Sequence, residues 1–171
     1  QLSIRWVEKS VNIYLNKLLK TVDKDYIIAA DTDSIYICLD KLVKSVFTDT
    51  SDKEKIIKFL DKVCETKIQD CINDSFNRLH VYMNAFEQKM NMSREVLADK
   101  AVWTGKKHYI MNVHNSEGVQ YAKPRLKVMG LESVKSSTPA VCRDKLKQSF
   151  DILMNGSEDQ MQKFIEEFKE S

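Results

Sequence analysis

Apolar residues recur at two periods along this chain, and the changes of period divide it into elements. Over residues 2–20, Ile4, Val7, Val11, Tyr14, Leu15 and Leu18 fall at helical spacing with Lys, Glu and Asn between them, which predicts an amphipathic helix. After a polar connection the pattern becomes continuous. Tyr26-Ile27-Ile28-Ala29-Ala30 and Ile35-Tyr36-Ile37-Cys38-Leu39 are strand-like, and Asp31-Thr32-Asp33-Ser34 between them is turn-like, which predicts a hairpin. Strands this apolar predict a buried sheet, because a surface hairpin alternates. Residues 40–50 show no clear period and are expected to be irregular. Ser51-Asp52-Lys53-Glu54 has the form of a capping box. The stripe behind it, from Ile56 and Leu60 through Cys64, Ile68, Ile72 and Phe76 to Met83 and Phe86, predicts one long helix reaching about residue 89, with His80 on it.

Strand patterns then return. Val96-Leu97-Ala98 and Ala101-Val102-Trp103 are candidates, and residues 107–113 alternate. Ser116-Glu117-Gly118 supplies a turn, with His114 read as part of it, and Val119-Gln120-Tyr121-Ala122 returns. Pro124 is expected to end that strand or mark it as an edge. The chain leaves the sheet through Gly130. Thr138-Pro139 predicts a helix N-cap and first residue, Gly156 closes that helix after Asn155, and Ser157-Glu158-Asp159-Gln160 caps another. The predicted fold class is α+β: an antiparallel sheet with a hairpin packed on long helices, then a helical segment, with the boundary near Gly130.

A length of 171 residues suits one domain, or one domain and part of another, and 43% hydrophobic residues support a real core. The net charge of +2 means that any polyanion site is a local patch. The four cysteines form no Cys-x-x-Cys pair; three fall at core-like positions, and all read as reduced, intracellular thiols. No apolar run approaches a membrane span and no signal peptide is visible. The chain starts at Gln1, directly in a helical pattern, and stops inside another, so both ends read as cut from something longer.

Three stretches carry candidate chemistry. In an extended backbone, residues i and i+2 share a face, so Asp31 and Asp33 would point into one small volume. Carboxylates that close repel unless a cation lies between them, and Mg²⁺ takes one or two carboxylates plus substrate phosphates. An isolated Asp-x-Asp in a tight turn would merely cap the backbone; the apolar flanks favour a site. The second stretch, Lys106-Lys107-His108-Tyr109, follows Gly105; basic and aromatic neighbours suit phosphate and base contact, and equally suit a Lys-guarded edge strand. The third holds Lys127 and, before a predicted helix N-terminus, Lys135-Ser136-Ser137-Thr138, a phosphate grip or ordinary capping. Glu95, beside Arg94, reads on its own as a surface or ion-paired acid.

The ordered set of Asp31-Thr32-Asp33-Ser34, a long helix, Arg94-Glu95, Lys106-Lys107-His108-Tyr109, Lys127-Val128-Met129-Gly130 and Lys135-Ser136-Ser137-Thr138-Pro139 resembles family B DNA polymerases. It is most similar to those of T4-like phages, and the short segment between Glu95 and Lys106 reads like marine members of that group. The resemblance spans essentially the whole chain. It implies that residues 1–130 are the C-terminal part of a polymerase palm and that residues 131–171 begin a helical thumb. It implies that Asp31 and Asp33 hold divalent ions, Asp33 being the principal ligand of the pair and Asp31 secondary, two Mg²⁺ serving the complete enzyme, and that Glu95 stands in their outer shell. Lys106, Lys107, His108 and Tyr109 match a Lys-Lys-Arg-Tyr segment that holds the primer–template, with His108 in place of the permanently charged Arg; Lys127 and Lys135 join this DNA-binding set. The implied partners are primer–template DNA, deoxynucleoside triphosphates and the remaining polymerase parts (exonuclease, fingers and rest of the palm), with self-association through the uncovered apolar surface and no membrane. The implied place is the cytoplasm of an infected bacterial host. No Asp-x-x-Ser-Leu-Tyr and no Lys-x-x-x-Asn-Ser-x-Tyr-Gly motif occurs in these residues.

The expectation is therefore a polymerase fragment or one chain of a split polymerase, inactive alone. Two rivals stand beside it: a metal-dependent nuclease or phosphohydrolase using Asp31, Asp33 and Glu95, and a non-catalytic DNA-binding accessory.

Overall fold

A computed structural model describes residues 1–170, which form two compact units, Gln1–Glu95 and a second from Val96 onward. Each has its own antiparallel sheet, of two and three strands. The fold is thus α+β.

The first unit contains α1 (Leu2–Leu18), β1 (Ile27–Ala30), β2 (Ile35–Ile37), α2 (Asp40–Val46), α3 (Lys53–Val63) and α4 (Gln69–Tyr82). Its core joins Val7, Val11 and Leu15 of α1 with Ile72, Phe76 and Leu79 of α4, all buried. The two helices meet at small residues. The Ser75 hydroxyl donates to that of Ser10 at 3.0 Å, and the Trp6 indole N–H donates to the Ser75 carbonyl at 3.0 Å. A π turn, Cys64–Ile68, joins α3 to α4. Its cause lies in the spacing of the apolar row. Leu60, Cys64, Ile68, Ile72 and Phe76 recur every fourth residue and would drift around a helix of about 3.6 residues per turn. The wider turn takes up the surplus, and all five stay buried. Burial pushes the Cys64 thiol up to about 11. Cys38 and Cys142 are exposed, so fewer cysteines are core residues than their apolar neighbours predict.

Three expectations change here. Residues expected to be irregular form α2, since Leu42 is buried, Lys44 pairs with Asp40 at 2.8 Å and the Phe47 ring meets Phe59 edge-on at 5.3 Å. Asp52, not Ser51, caps α3, accepting the Lys55 N–H at 3.1 Å. The long helix ends at Tyr82 rather than near residue 89. Asn84 turns left-handed (φ 48°), and the Ala85 and Asn84 N–H groups donate to the His80 and Val81 carbonyls at 3.2 and 3.1 Å. This is a Schellman stop with Asn where Gly is commoner. Phe86, expected in the core, is fully exposed (103%).

The second unit contains β3 (Val96–Gly105), β4 (His108–Ser116), β5 (Val119–Met129), a 3₁₀ turn (Glu132–Val134), α5 (Ala140–Asn155) and α6 (Glu158–Glu170). β4 is central and buried from Tyr109 through Asn115, on both faces rather than one. β3 runs unbroken where two short strands were expected, because its polar middle finds partners. Asp99 accepts from the Asn112 amide at 2.7 Å, and Lys100 donates to the Met154 carbonyl at 2.7 Å. His114 lies on β4 rather than in a turn, its Nε2 3.1 Å from Asp99. The turn itself is Glu117-Gly118, both left-handed (φ 49° and 85°), as two-residue hairpins prefer. Pro124 lies on β5, an edge strand. Ser157 and Gln160 form the expected reciprocal box, at 2.9 and 3.4 Å. Thr138 does not cap α5; its hydroxyl donates to Glu132 at 3.3 Å.

Phe76→Ala should cost roughly 3–5 kcal/mol by leaving a cavity, whereas Phe86→Ala should stay within about 0.5 kcal/mol. Urea titrations of the two variants measure both, and equal losses would place Phe86 back in the core.

Candidate functional site

The carboxylate hairpin is positioned by α1. The Asn12 side chain accepts the Tyr26 N–H at 2.8 Å and donates to Asp25 at 2.8 Å. One turn on, Asn16 accepts the Lys24 N–H at 3.0 Å and the Thr21 hydroxyl at 2.8 Å, and donates to the Lys24 carbonyl at 2.7 Å. Tyr26, 1% exposed, anchors the start of the strand, with its hydroxyl 2.9 Å from that of Thr21. β1 then carries a bulge: Ile27 pairs with Ile37 and Ala29 with Tyr36, leaving Ile28 as the extra residue. The hairpin is less buried than its composition predicts. Ile28 is exposed and all of β2 is half-buried, since a two-stranded sheet cannot cover both its faces.

The Asp31 N–H donates to the Ser34 carbonyl at 2.9 Å and closes the turn. Thr32 and Asp33 are its central residues, and neither is left-handed. Asp33 is therefore a turn residue, and the strand alternation that would put both carboxylates on one face stops at Asp31. The Asp31 carboxylate accepts its neighbour Thr32's N–H at 2.8 Å. Asp33 is exposed and has no hydrogen bond or ion pair among the described residues. This donor set fits a hard divalent cation: oxygen only, on an exposed turn, with one carboxylate committed to the backbone and one uncommitted. Among the described residues no three acidic, His or Cys side chains converge as a cation cage, so Glu95 does not complete a triad with the pair. Glu95 is exposed beside Arg94, whose guanidinium is bound to Asp61 of α3.

The basic stretch forms the β3–β4 hairpin. Gly105 pairs with His108, and Lys106-Lys107 is the turn, Lys107 being left-handed (φ 61°). Tyr109 is buried against Trp103, ring centroids 6.3 Å apart. Tyr109 pairs with Met129 and Met111 with Lys127. Paired residues share a face, so Lys127 stands on the Tyr109 side of the sheet.

The family described as divergent family B DNA polymerase matches residues 6–167, through both hairpins. The chain belongs to that family. Two similar proteins are the DNA-directed DNA polymerases of Enterobacteria phage T4 and Escherichia phage RB69. The first is 34% identical over 178 residues, covering 99% of this chain and 20% of that protein. The second is 38% identical over 160 residues, covering 86% of this chain and 17% of that protein. The chain spans about a fifth of the length of these curated relatives. No helix among the described residues is long and apolar enough to cross a membrane.

Within this family B chain, Lys135 directly follows the 3₁₀ turn, ahead of Pro139, the N-cap of α5. It pairs with Glu132 at 2.5 Å, and that hydrogen bond is the main cause holding the Glu132 carboxyl below its usual range. The positioning residues Asn12 and Asn16 escape a reading based on apolar period. Two Asn four apart on a helix, where Asn is a weak former, are the signal that would have found them.

Asn12→Ala should leave the Tyr26 N–H and Asp25 without their partner, costing about 1–3 kcal/mol. Amide exchange at Ala29 and Ala30 should quicken with it; unchanged exchange there would remove α1 from hairpin positioning.

Proposed function

We propose that this chain supplies the acidic hairpin and part of the DNA grip of a DNA-directed DNA polymerase that replicates phage DNA in an infected bacterium. The observation that carries the reading is one family match running through both the Asp-Thr-Asp-Ser and the Lys-Lys-His-Tyr hairpins. Residues 1–130 then form the C-terminal part of the palm and the residues beyond it begin the thumb. The reaction is template-directed nucleotidyl transfer between a primer–template and deoxynucleoside triphosphates. Bound divalent ions, Mg²⁺ above all, supply Lewis-acid activation of the primer hydroxyl and charge stabilisation for the departing pyrophosphate. Asp33, exposed and unpaired, is the main ligand from this chain, and Asp31 supports it while holding the turn. Glu95 is an outer acid of the same site. Lys106, Lys107, His108 and Tyr109, with Lys127 and Lys135, grip the duplex backbone near the primer end. The chain works with the remaining parts of a polymerase, carried by the same or another polypeptide, and does not polymerise alone.

The isolated chain should not extend a primed template with Mg²⁺ and deoxynucleoside triphosphates; extension would overturn the division of labour, and Mg²⁺-dependent cleavage of DNA would favour a nuclease. In the complete polymerase, Asp33→Asn should lower kcat by about 10³-fold or more with duplex affinity kept. Lys107→Ala should instead weaken duplex binding for all sequences and reduce the salt slope by about one, read by fluorescence anisotropy across salt concentrations.

A further inference from the structure

Away from both hairpin tips, β5 carries a cation seated on an aromatic ring. Asn115 of β4 pairs with Gln120 and Val113 pairs with Arg125, so four residues of β5, 121–124, stand opposite the single residue His114. This is a wide bulge on an edge strand, and Pro124 within it has no N–H to offer a further strand. The bulge carries Tyr121 and Lys123, and Arg125 follows it. The Arg125 guanidinium lies over the Tyr121 ring, 4.4 Å from its centroid. Lys123 and Arg125 are exposed and Tyr121 is half-buried, and neither cation has a carboxylate partner among the described residues. Charge at a sheet edge serves to discourage strand addition, and Lys123 and Pro124 suffice for that. The seating of Arg125 on a ring is not needed for it. A guanidinium held in this way is already placed, so it loses less freedom on meeting an anion. Arg125 and Lys127 pair with Val113 and Met111, which share a face of β4, so the two cations stand in one row that leads from the Lys106-Lys107 tip toward the bulge.

We propose that Tyr121, Lys123 and Arg125 form a contact for an unpaired strand of DNA, separate from the duplex grip. Charge complementarity sets the class of ligand, because exposed cations without carboxylate partners attract a polyanion. The ring sets its form. A duplex offers this edge strand only its phosphates, since its bases are stacked inside it. An unpaired strand offers phosphates and free base faces together. Lys123 and Arg125 take the phosphates, and the Tyr121–Arg125 pair takes a base, a contact that tolerates any sequence because every base has a π-face. The row through Lys127 gives a strand that leaves the duplex at the β3–β4 tip a continuous path along β5. The choice of DNA as ligand rests on the polymerase reading above.

Anisotropy of this 171-residue chain is measured on a labelled thymidine oligomer of about 12 nucleotides and, in parallel, on a primer–template duplex. The wild type should bind the oligomer. Arg125→Ala should weaken that binding roughly tenfold and lower the salt slope by about 0.7. Arg125→Lys and Tyr121→Leu should each lose severalfold at an unchanged salt slope, because the charge remains and the stack does not. All three should leave duplex binding nearly unchanged. The substituted side chains are exposed or half-buried on an edge strand, so the variants keep the fold. Equal losses on oligomer and duplex, unchanged oligomer binding by Arg125→Ala, or no oligomer binding by the wild type would each overturn the proposal. A wild type that binds the oligomer with this pattern of losses, yet never the duplex, would uphold the β5 contact and overturn the duplex grip alone.

Discussion

The carboxylate hairpin depends on two half-buried asparagine side chains that flank the apolar stripe of α1. Asn12 and Asn16 together hold Thr21, Lys24, Asp25 and Tyr26, the whole connection from helix to first strand. These bonds set where β1 begins, and the Ile28 bulge and the Asp31–Ser34 closure set where it ends. The helix beneath is itself fixed by the Ser10–Ser75 and Trp6–Ser75 contacts with α4. Polar bonds thus fix the connection from the helix pair to the start of the hairpin, while Asp33 at its tip is exposed with no hydrogen bond or ion pair among the described residues.

The basic hairpin follows another logic. Its tip is defined by backbone carbonyls, one held by an imidazole and one approached by a glycine. Lys107 adopts a left-handed conformation that costs a non-glycine residue on the order of 1–3 kcal/mol, and such strain persists only where surroundings impose it. Here the imposing group is β5, whose end at Met129 brings Gly130 against the Lys107 carbonyl. Gly130 serves packing as well as chain direction.

A polar cluster inside the second unit ties its sheet to α5. Asn112, 1% exposed, donates to Asp99 and to Asn155, at 2.7 and 3.1 Å, while Lys100 holds the Met154 carbonyl. Burial without such partners would cost several kcal/mol, so the cluster fixes one register of helix on sheet. None of these residues stands out in a hydropathy pattern, and His114, its outer member, reads there as a turn residue.

The sequence by itself determined most elements and two of the three hairpin tips, the third lying at Lys106-Lys107, where the alternation of residues 107–113 reads as strand. Apolar period marks α1, α3 and α4, turn chemistry marks Asp31-Thr32-Asp33-Ser34 and Glu117-Gly118, and Ser157–Gln160 caps α6 as written. These are local preferences, decided by residues a few positions apart. Only the tertiary structure decided the rest. α2 forms because Leu42 and Phe47 find partners, and β3 runs through Asp99 and Lys100 because β4 and α5 satisfy them. Both outcomes turn on whether a polar or apolar group finds its complement across space, and neither period nor propensity encodes that. The exposure of Phe86 and the difference between Asp31 and Asp33 come instead from local bonds, at the Asn84 stop and the Thr32 amide, that the apolar period does not register.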